Sequence, residues 1–315
     1  MNSKTVSFFK GEFCIILCAV FWGFISLFSR PLNDMGFSSA EITFVRSVLA
    51  VIFLGVFLLI KGKDLFKISP RNLPLLIFLG VGCFMTVCLL YTLSIEKNGS
   101  AVAAMLEYTS PIWTVMISRF LFNEKITAVK VISLAGITGG CVLLTVGGNI
   151  ILTAAGVLIG LLTGLFLSLY GVVSKVACKK YAAETVTFYM FLFSATGAFF
   201  AAEGWNVPAK IIADTSCIPS FLGLSALATA LAYILYETGL KTVSASKASM
   251  ISVLEIAVAT VVGVVFFNGD AGVWGYAGIA VTVISLIFLE TGDRCFKRNK
   301  GAEKDNPLLV KKGNL

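Results

Sequence analysis

From Gly99 to Ile117 the chain runs apolar for long enough to cross a bilayer as a helix, yet two residues in its middle do not suit lipid. The carboxyl of Glu107 costs roughly 2.5–3.5 kcal/mol at a membrane midplane on insertion scales. Pro111 has no N–H to donate and displaces the carbonyl four residues back, which belongs to Glu107 itself. A free backbone oxygen and an ionisable side chain therefore fall at one depth. Broken backbone is tolerated there when it is buried in protein or lines a wet cavity. A kink satisfied by a neighbouring helix is the simpler reading of the proline. Glu107, Tyr108, Ser110 and Pro111 together favour a cavity wall.

Composition sets the class. The 315 residues are 57% hydrophobic and only 13% charged, against about 25% in soluble domains. A polytopic membrane protein of all-α class follows, with the lipid bilayer as its surroundings. The net charge of +8 does not indicate nucleic acid, because the basic residues sit in loops and at the C-terminal end. The sequence contains no histidine, so imidazole relays and His-ligated metal sites are excluded. The eight cysteines are scattered, with no CxxC pair, and read as buried small hydrophobes rather than disulfides or metal ligands. No GxxxxGK[ST] loop occurs, and no cofactor is expected. The first apolar run ends at Ser29-Arg30-Pro31 without a small-residue cleavage site, so no cleaved signal peptide is expected.

Ten apolar spans are expected, near 13–29, 42–60, 73–95, 99–117, 127–146, 155–174, 186–202, 218–240, 246–267 and 273–289. Residues 293–315 turn charged and polar and read as a flexible cytoplasmic tail. With the N-terminus inside, twenty-one Lys and Arg fall in inside segments and three outside, namely Arg30, Lys97 and Lys210. Both termini are therefore expected in the cytoplasm of a cell-membrane protein.

The chain is also written twice. At a shift of 145 residues Gly11 meets Gly156, Phe21 meets Phe166, Tyr91 meets Tyr236, Met105 meets Met250, and Phe122-Asn123 meets Phe267-Asn268. Spans one to four superpose on spans six to nine at the same shift. Five spans per half is an odd number, so the halves enter the membrane from opposite sides. The expected fold is ten transmembrane helices as two inverted five-helix repeats, over 11–146 and 155–290, with a midplane site between them. Glu107 carried forward falls on Ser252, and Glu255 carried back falls on Ser110. Residues three apart share a helix face, so both halves present a Glu and a Ser, in swapped order.

Other residues carry weaker signals. Arg46, inside the second span, either snorkels to the surface, the favoured reading, or pairs with a carboxylate. Trp22, Tyr91, Tyr108, Trp113, Tyr170 and Tyr236 are candidates for an aromatic cavity wall, with an interfacial belt or plain packing as the commoner role, above all for Tyr91 and Tyr236 near span ends. Gly156, Gly160, Gly164 and Ser168 form a small-residue ridge that close helix packing explains. Glu237, near the end of its span, is expected at a solvated interface.

Ala19-Val20-Phe21-Trp22-Gly23, then Arg46, then Pro111 ahead of Phe122-Asn123-Glu124, resembles one EamA-type repeat. Leu254-Glu255 followed by Phe266-Phe267-Asn268-Gly269 is similar to a second. Together they cover roughly residues 11–290. The resemblance implies the drug/metabolite transporter superfamily, whose ten-helix members surround a central cavity with helices one, three, four, six, eight and nine. Many of them export amino acids or other small metabolites. Two departures stand out. Ile256 replaces the second repeat's proline, so the ninth helix is expected straight, and Gly269 stands where Glu124 has its counterpart, with Asp270 one place later. The implied function is a secondary transporter that exports a small metabolite or amino acid by alternating access through a central cavity between the repeats, with protons as a candidate co-substrate. Trp22, Arg46, Glu107, Tyr108, Ser110, Pro111, Ser252 and Glu255 are the candidate substrate-binding residues. A passive channel, facilitator or membrane scaffold is the alternative. An intramembrane enzyme is disfavoured because no nucleophile–base pair or metal motif assembles without histidine. The sequence leaves the oligomeric state open.

Overall fold

A computed structural model describes the backbone of residues 3–145 and 152–304, and the side-chain surroundings of 10–145 and 152–292. All regular structure among these residues is helical. That suits a chain whose backbone groups must be satisfied within each segment when water is absent. Helix α1 is Ser3–Gly23, prolonged past a turn at Phe24 by Ile25–Asp34. Then come α2 (Ser39–Lys61), α3 (Pro70–Asn98), α4a (Ser100–Glu107) and α4b (Ser110–Leu121), and α5 (Ala128–Leu143). The second half repeats the order: α6 (Ala154–Cys178), α7 (Ala183–Ala201), α8 (Thr215–Leu240), α9a (Ala245–Ser252) with α9b (Leu254–Phe267), and α10 (Gly272–Lys304).

Seven of these segments are long and apolar enough to cross a membrane. The other three are the fourth, which breaks at Tyr108-Thr109, α5, with 16 residues, and α7, with 19. The distribution of side chains is that of a lipid-facing bundle. Ile60, Phe120 and Val273 are more than four-fifths exposed, while Ser47, Thr114, Ser118, Thr163, Ser194 and Thr229 are fully buried.

Helix α1 lies against α8 and α9b, α3 against α6, and α6 against both parts of α4; α2 runs along α7, and α5 along α10. Exchanging the halves maps this set of contacts onto itself. The repeat also shows in the backbone. Asn123 and Asn268, 145 residues apart, end α4b and α9b in the left-handed region, at φ of 52° and 50°. Asparagine is among the few residues that adopt it readily. Both α3 and α8 carry a π-helical stretch in their middles, Phe78–Met85 and Ala226–Leu231. The hydroxyls of Thr86 and Thr229 bond to carbonyls five residues back, at 3.0 and 2.8 Å, within these widened turns.

Two expectations are corrected. Helix α9 is not straight: it breaks at Val253 without a proline. The Ser252 hydroxyl donates to the Ser249 carbonyl at 2.9 Å, and the Ile256 N–H bonds to Val253, tightening one turn. Residues 293–304, expected as flexible tail, continue α10, and 305–315 lie outside the described residues.

The Lys- and Arg-rich loops gather at one end of the bundle, called here the basic end. It is tied shut. Lys247 on α9a reaches Glu12 on α1 at 2.5 Å and Glu290 on α10 at 2.7 Å, with Lys247 and Glu12 almost wholly buried. Glu124 accepts from the Ala245 N–H at 3.2 Å and from the Ser246 hydroxyl, and Lys130 bridges Glu124 and Ser246 at 3.2 and 2.7 Å. Burying ionic groups is costly unless each is matched, and these are.

The glycine ridge of α6 is one place where the backbones of the two halves come close. A Cβ at Gly164 would stand 2.9 Å from the Leu106 carbonyl oxygen and 3.1 Å from that of Glu107, too close for either. Gly164→Val should therefore lower the apparent melting temperature in detergent by roughly 5 °C, through about 1–3 kcal/mol of overpacking. Gly139→Ala, where a Cβ meets nothing within 4 Å, should leave it unchanged or raise it slightly. Equal melting curves for the two variants would refute the contact.

Candidate functional site

The chain must break where α4 meets Pro111, and it does so by a tight turn. The Thr109 N–H turns back to the Leu106 carbonyl at 3.1 Å, and the Thr109 hydroxyl reinforces it at 2.6 Å. This turn exposes Tyr108 and Glu107 on the inner side of the bundle. A cavity of about 360 Å³ lies there, between α1, α2, α3, α4, α6, α8 and α9. Helix α2, absent from the lining set that the family resemblance implied, contributes Arg46.

Seven of the eight candidate residues line this one cavity: Trp22, Arg46, Glu107, Tyr108, Ser110, Ser252 and Glu255. Pro111 does not. It is buried behind the wall, and the Glu107 carbonyl that it frees lies toward Gly164 of α6. Its effect on the cavity is to break the helix, not to present an atom.

The two carboxylates sit on opposite broken helices and line the same cavity. The Tyr108 hydroxyl donates to Glu255 at 2.6 Å, so one side chain at the α4 break holds the carboxylate beside the α9 break. Neither Glu107 nor Glu255 forms an ion pair among the described residues.

Arg46 behaves as neither sequence reading supposed. It does not snorkel, being 8% exposed, and it pairs with no carboxylate among the described residues. Its guanidinium instead lies 5.4 Å from the centre of the Phe84 ring, a cation–π arrangement. The Arg46 Nε, the Trp22 Nε1 and the Ser26 hydroxyl are buried polar atoms without a hydrogen-bond partner, and all three residues line the cavity. Such orphans are rare, and a cavity is where a ligand can satisfy them.

Aromatic rings form the base. Trp22 meets Tyr233 at 5.0 Å and Tyr236 at 5.2 Å, and Tyr170 stacks on Tyr236 at 5.6 Å. These residues are buried, while Ser26, Ser29, Tyr91 and Ala259 higher in the cavity are half-buried. The cavity thus widens away from the basic end. Tyr91 and Tyr236, read as belt residues, both line it. Phe84 and Tyr233, missed in the sequence, sit in or just after the two π-helical stretches and touch at 5.4 Å. No linear spacing rule for α-helices reveals a π turn.

A second, larger cleft of about 500 Å³ lies between α4a, α5, α9b and the start of α10. Tyr108 forms part of both walls, and the cleft lacks the two carboxylates and the arginine. Size therefore does not locate the chemistry here; the converging charged groups do.

Known proteins bear on this geometry. The EamA-like transporter family model matches residues 9–146 and again 154–291. An uncharacterized transporter of Archaeoglobus fulgidus is 28% identical over 260 residues, spanning 82% of this chain and 88% of its own. The uncharacterized inner membrane transporter YicL of Salmonella typhimurium is 26% identical over 257 residues, spanning 78% of this chain and 83% of its own. One crystal structure superposes with a TM-score of 0.72 over 91% of this chain and 98% of that one, at 17% identity, which speaks for the fold alone. Two successive family matches, divided where the sequence repeat divides, account for nearly the whole chain, which belongs to the EamA-like transporter family.

Proposed function

We propose that the chain is a secondary transporter that exports a small zwitterionic metabolite of the amino-acid class by alternating access. One observation carries this reading: Glu107 and Glu255 share a cavity with the Arg46 Nε and the Trp22 Nε1, two buried donors without a hydrogen-bond partner among the described residues. The carboxylates suit an ammonium, the guanidinium and indole N–H suit a carboxylate, and the aromatic base suits an apolar side chain. The volume falls in the range of small-molecule sites, about 300–1,000 Å³. Ten crossings arranged as inverted repeats, with both termini in the cytoplasm, make the basic end the cytoplasmic one. The described state is then open outward and shut inward. A passive pore fits less well, since the Glu12–Lys247–Glu290 and Glu124–Lys130–Ser246 clusters close the cytoplasmic side.

The orientation is tested in a cysteine-free background. Single cysteines at Asn206 and Asp270 should react with an impermeant maleimide added to intact cells. Those at Asp64 and Lys125 should react only after permeabilisation. The reverse pattern would overturn the orientation and the outward-open assignment.

The site is tested by export of an amino-acid panel from overexpressing cells. Glu107→Gln should lower export at least about tenfold while the protein still inserts and folds, because the amide keeps the shape but not the charge. Glu255→Gln should be milder, since Tyr108 can still donate to the amide oxygen. Arg46→Gln should chiefly raise KM for substrates with a free carboxylate and spare their amides. Full export by all three variants would remove the cavity from the mechanism.

A further inference from the structure

Just beneath the aromatic base lies a carboxylate that the cavity does not contain. Glu237 on α8, expected at a solvated interface, is fully buried. Its Oε1 accepts from the Tyr170 hydroxyl at 3.0 Å and the Ser174 hydroxyl at 2.7 Å, and its Oε2 from the Cys178 thiol at 2.9 Å. The three donors recur every four residues along one face of α6, and each is neutral. Glu237 forms no ion pair among the described residues. Lys241, one turn further along, is near enough to act on its charge. The ammonium of Lys175, on the same stretch of α6, turns instead to the carbonyls of Leu240 and Val243.

Tyr170 connects this carboxylate to the cavity. Tyr170 lines the cavity and stacks on Tyr236, and its hydroxyl donates to Glu237. From α1, the wholly buried Cys18 lies within electrostatic range of both Glu255 and Glu237. Through Tyr170, which lines the cavity and donates to Glu237, the buried carboxylate lies one side chain from the cavity wall. A structural tie between α6 and α8 needs only neutral partners. A buried carboxylate held by three O–H and S–H donors, without a fixed cation, is also a place where a proton can be stored.

We propose that Glu237 is a proton site on the cytoplasmic side of the aromatic base, loaded from the central cavity through the Tyr170 hydroxyl. In the transfer Tyr170 gives its hydroxyl proton to a Glu237 oxygen and takes one from the cavity at its own oxygen, so the tyrosine stays neutral. When the basic end opens, the proton leaves Glu237 toward the cytoplasm and the carboxylate is restored. The coupling role rests on the transporter reading above; the protonation itself does not.

Two measurements separate these levels. The full chain is reconstituted in phosphatidylcholine–phosphatidylglycerol vesicles, and infrared difference spectra are recorded between about pH 5 and 9. The wild type should gain, on acidification, a protonated-carboxyl C=O band that Glu237→Gln lacks and that Glu107→Gln and Glu255→Gln retain. After a pH jump from the cavity side, Tyr170→Phe should keep the band but form it at least about tenfold more slowly. If Glu237→Gln fails to fold, Glu237→Asp, which keeps the acid, should shift the band instead of removing it. A wild-type spectrum without a band assignable to position 237 overturns the proposal. The second measurement uses whichever amino acid of the panel the wild type exports. Glu237→Gln should lose accumulation driven by a proton gradient yet keep substrate-for-substrate exchange. Unaltered gradient-driven accumulation in the variant would overturn the coupling role. Absence of any wild-type transport would strike the transporter reading and leave the spectroscopic result standing.

Discussion

Everything in this bundle depends on how the two broken helices, α4 and α9, are held where they cross the interior. A backbone break within a bilayer is affordable only if protein covers it, so each break must face inward. At α4 the cover is Gly164 of α6, whose missing side chain lets the Leu106 and Glu107 carbonyls press against that helix. At α9 the Ser252 hydroxyl folds back onto the Ser249 carbonyl. The two breaks are then joined by the hydrogen bond from Tyr108 to Glu255. Because this bond sits at both breaks at once, the carboxylates, the serines and the hinge points of the two helices all fall in one small region.

The halves of α4 and α9 do not meet equally on either side of that crossing. Toward the basic end α4b and α9a are in contact, through the Thr114–Ser249 hydrogen bond at 3.2 Å and a core of Val115, Met250, Val253 and Leu289. Toward the other end α4a and α9b stand apart around the cleft of about 500 Å³. A two-fold molecule with identical halves would have no reason to differ between its ends. The halves of this chain are not identical: Pro111 is matched by Ile256 and Glu124 by Gly269. The ionic clusters add to the contact at the basic end, tying α1, α5, α10 and Glu124 to α9a.

What was legible in the sequence follows from which features are linear. The repeat could be read because matched residues do matched jobs, as Asn123 and Asn268 do in ending α4b and α9b with a left-handed residue. Glu107 and Glu255 could be read because a carboxylate in an apolar run has few places to go, and their faces followed from helical spacing. The break in α9 could not. Proline is the usual mark of a kink, and Ile256 carries none; the turn is made by a serine hydroxyl and one tightened bond, which no motif announces. The π stretches of α3 and α8 were equally hidden, since they shift register without changing composition. Arg46 and Glu237 were misplaced for one shared reason. Distance from a span end predicts solvent only if the span is a lone helix in lipid, and both residues face other helices.

Arg46 also shows why the cavity remains chemically open. Two carboxylates and a guanidinium in one small, partly dehydrated space would normally collapse into an ion pair, which the low dielectric strongly favours. Here they are kept apart by placement. Phe84 holds the guanidinium on one wall, and Tyr108 holds Glu255 on the other, each by a contact that a direct salt bridge would have to break. The π turn that sets Phe84 in position is therefore part of the electrostatics as much as of the fold. A self-paired site would have satisfied its own charges and left nothing for a ligand. Separated in this way, Glu107, Glu255 and Arg46 line one cavity without an ion pair to any of the described residues.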